Sequence, residues 1–405
     1  MVQMNLVRKE ELSRMRDLRR YLTENKVSPE LARVVGRQLQ IRLSMEAPLI
    51  EKNVKALDLL SGTLHLELLQ NVFSQFTTRH AFLSLWMELD FNAVKDWCRN
   101  GVVERIILNS GDELFSSSSV ADSMYLLING RMSYSADADD GGQSQKTEVV
   151  EGTWICETSL WLEWQHRGSM VADTTCVLIR VHGQKLMKFF SQMACQGMEE
   201  GLDHLLSFAS AFRDLVNQYT RSGQLHRVEA GIDHASVVLA MNKDSQMAIC
   251  DVFLRQFEEQ QATTFAVKKP KAIKLLTDEV LAGKALLIRE GSGNIVRIAF
   301  VVAIRISRSD TCILAQIAKQ NPDDGTWSAS VNLPGTKMNS REVPKQVAEK
   351  FIQKELGVFE SDIIIEGSLQ KTELKESENF GVQTRYHREV FLAKYRVSGQ
   401  EYVHR

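Results

Sequence analysis

The stretch that decides the fold reads Gly152-Thr-Trp-Ile-Cys156-Glu157-Thr-Ser-Leu-Trp161 and ends, after His166-Arg167, with Ala172-Asp-Thr-Thr-Cys176-Val-Leu-Ile179. A glycine turn, a carboxylate opening a short apolar helix, a basic pair and an alternating apolar strand describe a loop built to hold a small anion.

On its N-terminal side the pattern is strand-like. Runs at 102–108, 113–115, 124–128, 132–134 and 147–150 are β-branched or large and apolar, broken by Asn109-Ser110-Gly111-Asp112 and Asn129-Gly130. Asn-Gly between two alternating runs predicts a hairpin. So many short strands predict a small jelly roll or barrel. Helical spacing returns from 184 to about 219, where Leu202, Leu205, Leu206, Phe208, Ala211, Phe212 and Leu215 make an apolar face that should pack back on the barrel.

Upstream, residues 5–43 read as two helices, the second opened by Ser28-Pro29-Glu30, and further helices follow at 61–73 and 82–98. The first is basic, and a solvated face explains that more simply than a lipid or acidic partner. Downstream, residues 221–290 read as a connector with a helix at 248–257. Lys268-Lys269-Pro270-Lys271 reads as a linker turn rather than an import signal. A second mixed domain begins near 295, with strands at 295–306, 311–317, 363–366 and 389–395 and a helix at 341–356. The expected class is α+β, in units 1–80, 81–220, 221–290 and 291–405.

The 405 residues are 44% hydrophobic and 25% charged with a net charge of -2, which gives no electrostatic reason for a nucleic-acid partner. The six cysteines show neither Cys-x-x-Cys pairs nor nearby histidines at zinc-ligand spacing, so free thiols in a reducing, cytoplasmic setting and no metal are expected. No run is long enough to span a bilayer. Asp137, Asp139, Gly142 and Glu148 fit part of a calcium-loop pattern, but Gly141 stands where a ligand belongs and strands flank it, so a solvated hairpin is expected.

Gly111, Gly130 and Gly152 at successive strand turns, followed by 152–176, resemble the phosphate-binding cassette of cyclic-nucleotide-binding domains. Arg19-Arg20-Tyr21-Leu22 and Ser28-Pro29-Glu30-Leu31 resemble the linker preceding that domain in cyclic-nucleotide-gated, hyperpolarisation-activated and ether-à-go-go type channels, potassium channels among them. The resemblance covers about residues 5–220. It implies a helical linker, a β jelly roll with lid helices, and cAMP or cGMP as ligand with no other cofactor. Its ligand set would be Gly152, Ile155, Cys156, Glu157, Thr158, His166, Arg167, Gly168 and Ser169, closed over by the 205–215 helix.

A cyclic nucleotide needs backbone N–H groups and an arginine for its phosphate and a carboxylate for its ribose hydroxyl. Glu157 matches the carboxylate. Cys156 stands where the family has a glycine at a close backbone approach. Aligned on Ala172-Asp173-Thr174, the phosphate arginine falls on His166, and Arg167 lies one residue on, facing the other way on a strand. An imidazole lacks the guanidinium fork, so nucleotide binding should be weakened or lost. Trp154, Trp161 and Trp164 either fill the pocket or pack in the core.

Trp327, Leu333-Pro334-Gly335, Glu342 and Lys354-Glu355-Leu356-Gly357-Val358 resemble a degenerate Nudix signature. Phe351 and Lys354 replace two metal-binding glutamates. Glu342 and Glu355 remain as relics, and no hydrolase activity is expected. The expected function is therefore a cytosolic regulatory module of the channel superfamily, partnered by other subunits or a membrane channel part. The alternatives are a ligand-independent interaction module with a self-filled pocket and, less favoured, a nucleoside-diphosphate hydrolase.

Overall fold

The computed structural model describes residues 2–44, 48–137, 146–195, 201–263, 270–309, 312–320, 325, 327–339, 342–377 and 380–396. It opens with α1 (Val2–Glu24) and α2 (Pro29–Ser44), which pack on each other. Pro29 starts α2 where a missing N–H costs nothing, and the Ser28 hydroxyl accepts from the Leu31 N–H. Leu12, Tyr21, Leu31 and Val34 stay exposed on this pair. Then come α3 (Gly62–Thr77), capped by Ser61, α4 (Ala81–Leu89) and α5 (Ala93–Arg99). In α4, Ala81, Phe82, Leu83, Leu85 and Trp86 are all buried, because this helix lies between other helices and a sheet.

Ten strands follow among the described residues: β1 (Val103–Leu108), β2 (Glu113–Phe115), β3 (Val120–Ala121), β4 (Ser123–Asn129), β5 (Met132–Ala136), β6 (Lys146–Val149), β7 (Trp154–Ile155), β8 (Trp164–Gln165), β9 (Gly168–Ala172) and β10 (Cys176–His182). They pair in the orders β1-β10-β4-β7 and β2-β9-β5-β6, with β3-β8 apart. Side-chain alternation explains why β4 and β10 read as continuous apolar runs. Tyr125, Leu127 and Leu178 point between the two sheets, while Met124, Leu126, Ile179 and Val181 point to the helices. The jelly roll is thereby welded to its helical neighbours.

Asn129-Gly130 does not close the expected hairpin. β4 and β5 belong to different sheets, so the turn carries the chain across the roll, and β5 pairs with β6 and β9. Gly130 has φ 102°, and a Cβ there would lie 2.6 Å from the Thr175 carbonyl oxygen. The local signal for a turn is right, while the choice of pairing partner is made by burial of both strands.

Helices α6 (Gly183–Cys195) and α7 (Leu202–Arg221) follow. α7 buries Leu205, Phe208, Ala211 and Phe212 as its apolar face requires, with Phe208 and Phe212 each 6.0 Å from the Trp161 ring. The 221–290 segment is mostly helical: α8 (Leu225–Glu229), α9 (His234–Ala240), α10 (Lys243–Thr263) and α11 (Pro270–Leu281), then β11 (Ala285–Arg289). α10 joins the two halves of the chain. Its Ile249, Cys250, Phe253 and Phe257 are buried, each worth about 1.5–3 kcal/mol for the large apolar side chains. Gln256 donates to Ser84 at 3.0 Å and accepts from Arg289 at 3.1 Å.

The C-terminal part adds β12 (Ile295–Ser309), β13 (Cys312–Ile313), β14 (Gln316–Gln320), β15 (Trp327–Asn332), β16 (Gly335–Met338), α12 (Pro344–Glu355), β17 (Ile363–Glu376) and β18 (Gln383–Tyr395). The main path is β11-β12-β18-β17, with β13 and β16 also on β12, and β12 runs parallel to β18. α12 packs through Val347, Ala348 and Ile352. Within β12, Arg297 is 1% exposed and pairs with Glu279 of α11. Glu342 accepts from the Asn339 N–H at 2.8 Å, and Glu355 lies 3.5 Å from Lys354. Both carboxylates are exposed. Lys268-Lys269 and most of the 137–148 loop pattern fall outside the described residues. Among the described residues, no helix is long and apolar enough to cross a membrane.

Candidate functional site

The cassette is built where β7 ends. Cys156 takes a left-handed backbone, φ 56° and ψ 38°, and a 3-10 turn Glu157–Leu160 follows. Such a backbone suits glycine; a side chain there costs about 1–2 kcal/mol. Cys156 is fully buried, with its Sγ 3.7 Å from His166 Nδ1, and burial together with the nearby Glu229 charge pushes its thiol pKa up.

His166 faces inward, 4% exposed and stacked on Phe115 with ring centroids 3.7 Å apart, while the Arg167 side chain is exposed. What occupies the space before them is a carboxylate of the chain itself. Glu229, the last residue of α8, is fully buried and accepts the Arg167 N–H at 2.8 Å, the Trp164 indole at 2.7 Å and the Tyr134 hydroxyl. His166 Nδ1 lies 3.4 Å from the same carboxylate, and the Glu229 carbonyl accepts the Cys156 N–H at 3.0 Å. A backbone N–H of the cassette and two side-chain donors thus converge on one anion, as they would on a phosphate. Burial and the Glu229 hydrogen bond both drive the Tyr134 hydroxyl pKa upward, so it remains a donor.

The segment carrying Glu229 enters closely. Ala230 packs on the inter-sheet core, and Gly231, φ 128°, passes so near that a Cβ would meet Thr153 Cγ2 at 2.7 Å. The 205–215 helix expected as a lid packs, within α7, on Trp161 and Phe82, and Ala230 packs against the inter-sheet core.

Glu157, expected to take a ribose hydroxyl, is 1% exposed and faces two histidines that the sequence did not single out. His80 Nε2 lies 2.9 Å from one oxygen and His234 Nε2 2.9 Å from the other. Burial alone would raise the Glu157 carboxyl, but the charges of His234 and His80 hold it down at about 2. Thr158 is buried beside it.

The remaining expected ligands have structural roles. Gly152 lies against the 291–292 loop, where a Cβ would sit 2.5 Å from the Ser292 nitrogen, and lines the cleft shared with Trp154, Gly231 and His234. Ile155 is a core residue paired with Tyr125. Gly168 makes room for Tyr134, and Ser169 Oγ accepts the Ser117 N–H at 3.4 Å. Of the three tryptophans, Trp154 packs on His80, Trp161 on α7, and Trp164 alone reaches the pocket. Away from the cysteines on which the expectation of no metal rested, His80, Glu157 and His234 bring potential ligand atoms within 4.8 Å of one another.

No curated protein matches this chain. Residues 105–193, spanning β1 to α6, match the model of the cyclic nucleotide-binding domain. The sheets, the cassette turn and the carboxylate-holding pocket lie inside or directly against that span, and the chain contains a cyclic nucleotide-binding domain.

Proposed function

We propose that this chain is a regulatory module whose cyclic nucleotide pocket is filled by its own Glu229, so that it works without a diffusible ligand or with one bound only weakly. One observation carries the reading: a fully buried carboxylate takes the Arg167 N–H, the Trp164 indole and the Tyr134 hydroxyl, donors suited to a phosphate. His166 and Cys156 standing in place of the family's arginine and glycine point the same way. A nucleotide entering this pocket must displace a satisfied carboxylate, and Glu157 is already engaged by His80 and His234.

The helical pair ahead of the domain supports the channel-type context. Leu12, Leu31 and Val34 present an apolar surface suited to other subunits or a membrane channel part. Free thiols at Cys98, Cys156, Cys176, Cys250 and Cys312 suit a reducing, cytosolic setting. The role is regulatory rather than catalytic: the Nudix-like carboxylates Glu342 and Glu355 are held by Asn339 and Lys354 on separate stretches.

Titration of the full chain with fluorescent cAMP and cGMP tests this. No saturation is expected up to high micromolar nucleotide in the wild type, and measurable binding is expected in Glu229→Ala. Submicromolar binding by the wild type, unchanged in the variant, would overturn the self-filled reading.

A further inference from the structure

His80, Glu157 and His234 come from three distant parts of the chain: the residue before α4, the cassette turn, and the first residue of α9. They are 0%, 1% and 7% exposed. The two imidazoles meet edge to face, centroids 4.5 Å apart, inside a wall made by Trp154, Phe82 and Phe208.

His234 Nε2 and His80 Nε2 each lie 2.9 Å from one Glu157 oxygen, His234 in hydrogen-bonding geometry and His80 as an ion-pair contact. His80 Nδ1 has neither kind of partner, and a buried orphan of that sort costs about 1–3 kcal/mol. Two imidazole nitrogens and a carboxylate oxygen, converging within 4.8 Å, are the donor set of a borderline metal ion. Tetrahedral coordination at about 2.0–2.2 Å places ligand atoms roughly 3.3–3.6 Å apart, so the contacts at 2.9 Å must open while the widest separation in the cluster, up to 4.8 Å, closes. A cleft of about 340 Å³ lined by Trp154, Gly231 and His234 leads from the surface.

We propose that His80, Glu157 and His234 form a binding site for a divalent transition metal ion of the zinc class, with water as the fourth ligand. The ion fastens the helices before the jelly roll, the cassette and α9 together, taking His80 Nε2, Glu157 and His234 Nε2 as ligands at once. The site stands on its own geometry and does not depend on how the nucleotide pocket is used.

The test uses the metal-stripped full chain, with Zn²⁺ in competition with a chromophoric chelator and with Co²⁺ read by its visible absorption. One equivalent should bind, with a Co²⁺ spectrum of four- or five-coordination and a rise in melting temperature. His80→Gln and His234→Gln should each weaken Zn²⁺ by more than the roughly 10–100-fold typical of losing an outer partner. Far-UV circular dichroism in chelator checks that the variants are folded; if one is not, the other and the wild-type stoichiometry decide. Absence of Zn²⁺ binding by the wild type, or binding that survives in either folded variant unchanged, overturns the proposal.

Discussion

Glu229, reaching from α8 to the jelly roll, and Arg297, in the C-terminal sheet, are both withdrawn from water, and their partners differ in kind. Arg297 meets an opposite charge on the neighbouring helix: Nε lies 3.1 Å from Glu279, which also takes Lys337. That is a self-contained cluster of one carboxylate and two cations, and a Phe380 ring lies 4.9 Å from the guanidinium. Glu229 meets the Arg167 N–H, an indole and a phenol, with His166 and Cys156 alongside. A buried charge answered by its counter-charge is a structural element. A buried carboxylate answered by backbone and neutral donors, against a matched nucleotide-binding domain, is the observation on which the proposed self-filled pocket rests.

The difference can be broken by mutation. Glu279→Ala strands Arg297 and should cost about 3–5 kcal/mol in urea unfolding. Glu229→Ala strands neutral donors and should cost less, about 1–3 kcal/mol. Added cAMP should recover part of the second loss and none of the first. Equal losses with no recovery in either would erase the distinction.

Acid sharpens the same contrast. Burial would raise the Glu279 carboxyl, but hydrogen bonds from Lys337 and Arg297 and their charges outweigh it and lower it below the ordinary 4.5. The folded value being depressed, the pair's stabilisation is complete above about pH 4.5 and is lost as pH falls through the lower folded value. A stability profile across that window should flatten in Glu279→Gln. An unchanged profile would mean that Glu279 is not responsible.

The smallest effect is expected at Cys156→Gly. Relief of the left-handed backbone, about 1–2 kcal/mol, is offset by losing a buried side chain and by the greater freedom of glycine in the unfolded chain. The net shift should stay within about 1 kcal/mol. A melting temperature falling as far as in Glu229→Ala would show that the thiol, rather than the backbone, shapes the cassette.

The strand runs, the cassette from Gly152 to Cys176 and the apolar face of α7 were legible because each rests on spacing within one segment. Inward His166 and outward Arg167 match the alternation expected of a strand, although the two residues lie in the short link between β8 and β9. Glu229 was not legible. It ends a five-residue helix with no periodicity to mark it, and only the passage of Gly231 against β7 places it. The His80, Glu157 and His234 cluster joins positions 77 apart on either side of Glu157, which no ligand-spacing pattern covers. Asn129-Gly130 misled for the same reason: the turn is local, and the pairing is not.

Amide hydrogen exchange at Arg167 reads the central contact most directly, because this N–H donates to Glu229 and to no backbone carbonyl within β9. The Arg167 amide should be protected in the wild type and exchange at least about tenfold faster in Glu229→Ala, with the Ala172 amide, bonded to Asp112, unchanged. An Arg167 amide that exchanges freely in the wild type, or is equally protected in both proteins, would contradict the Glu229 contact.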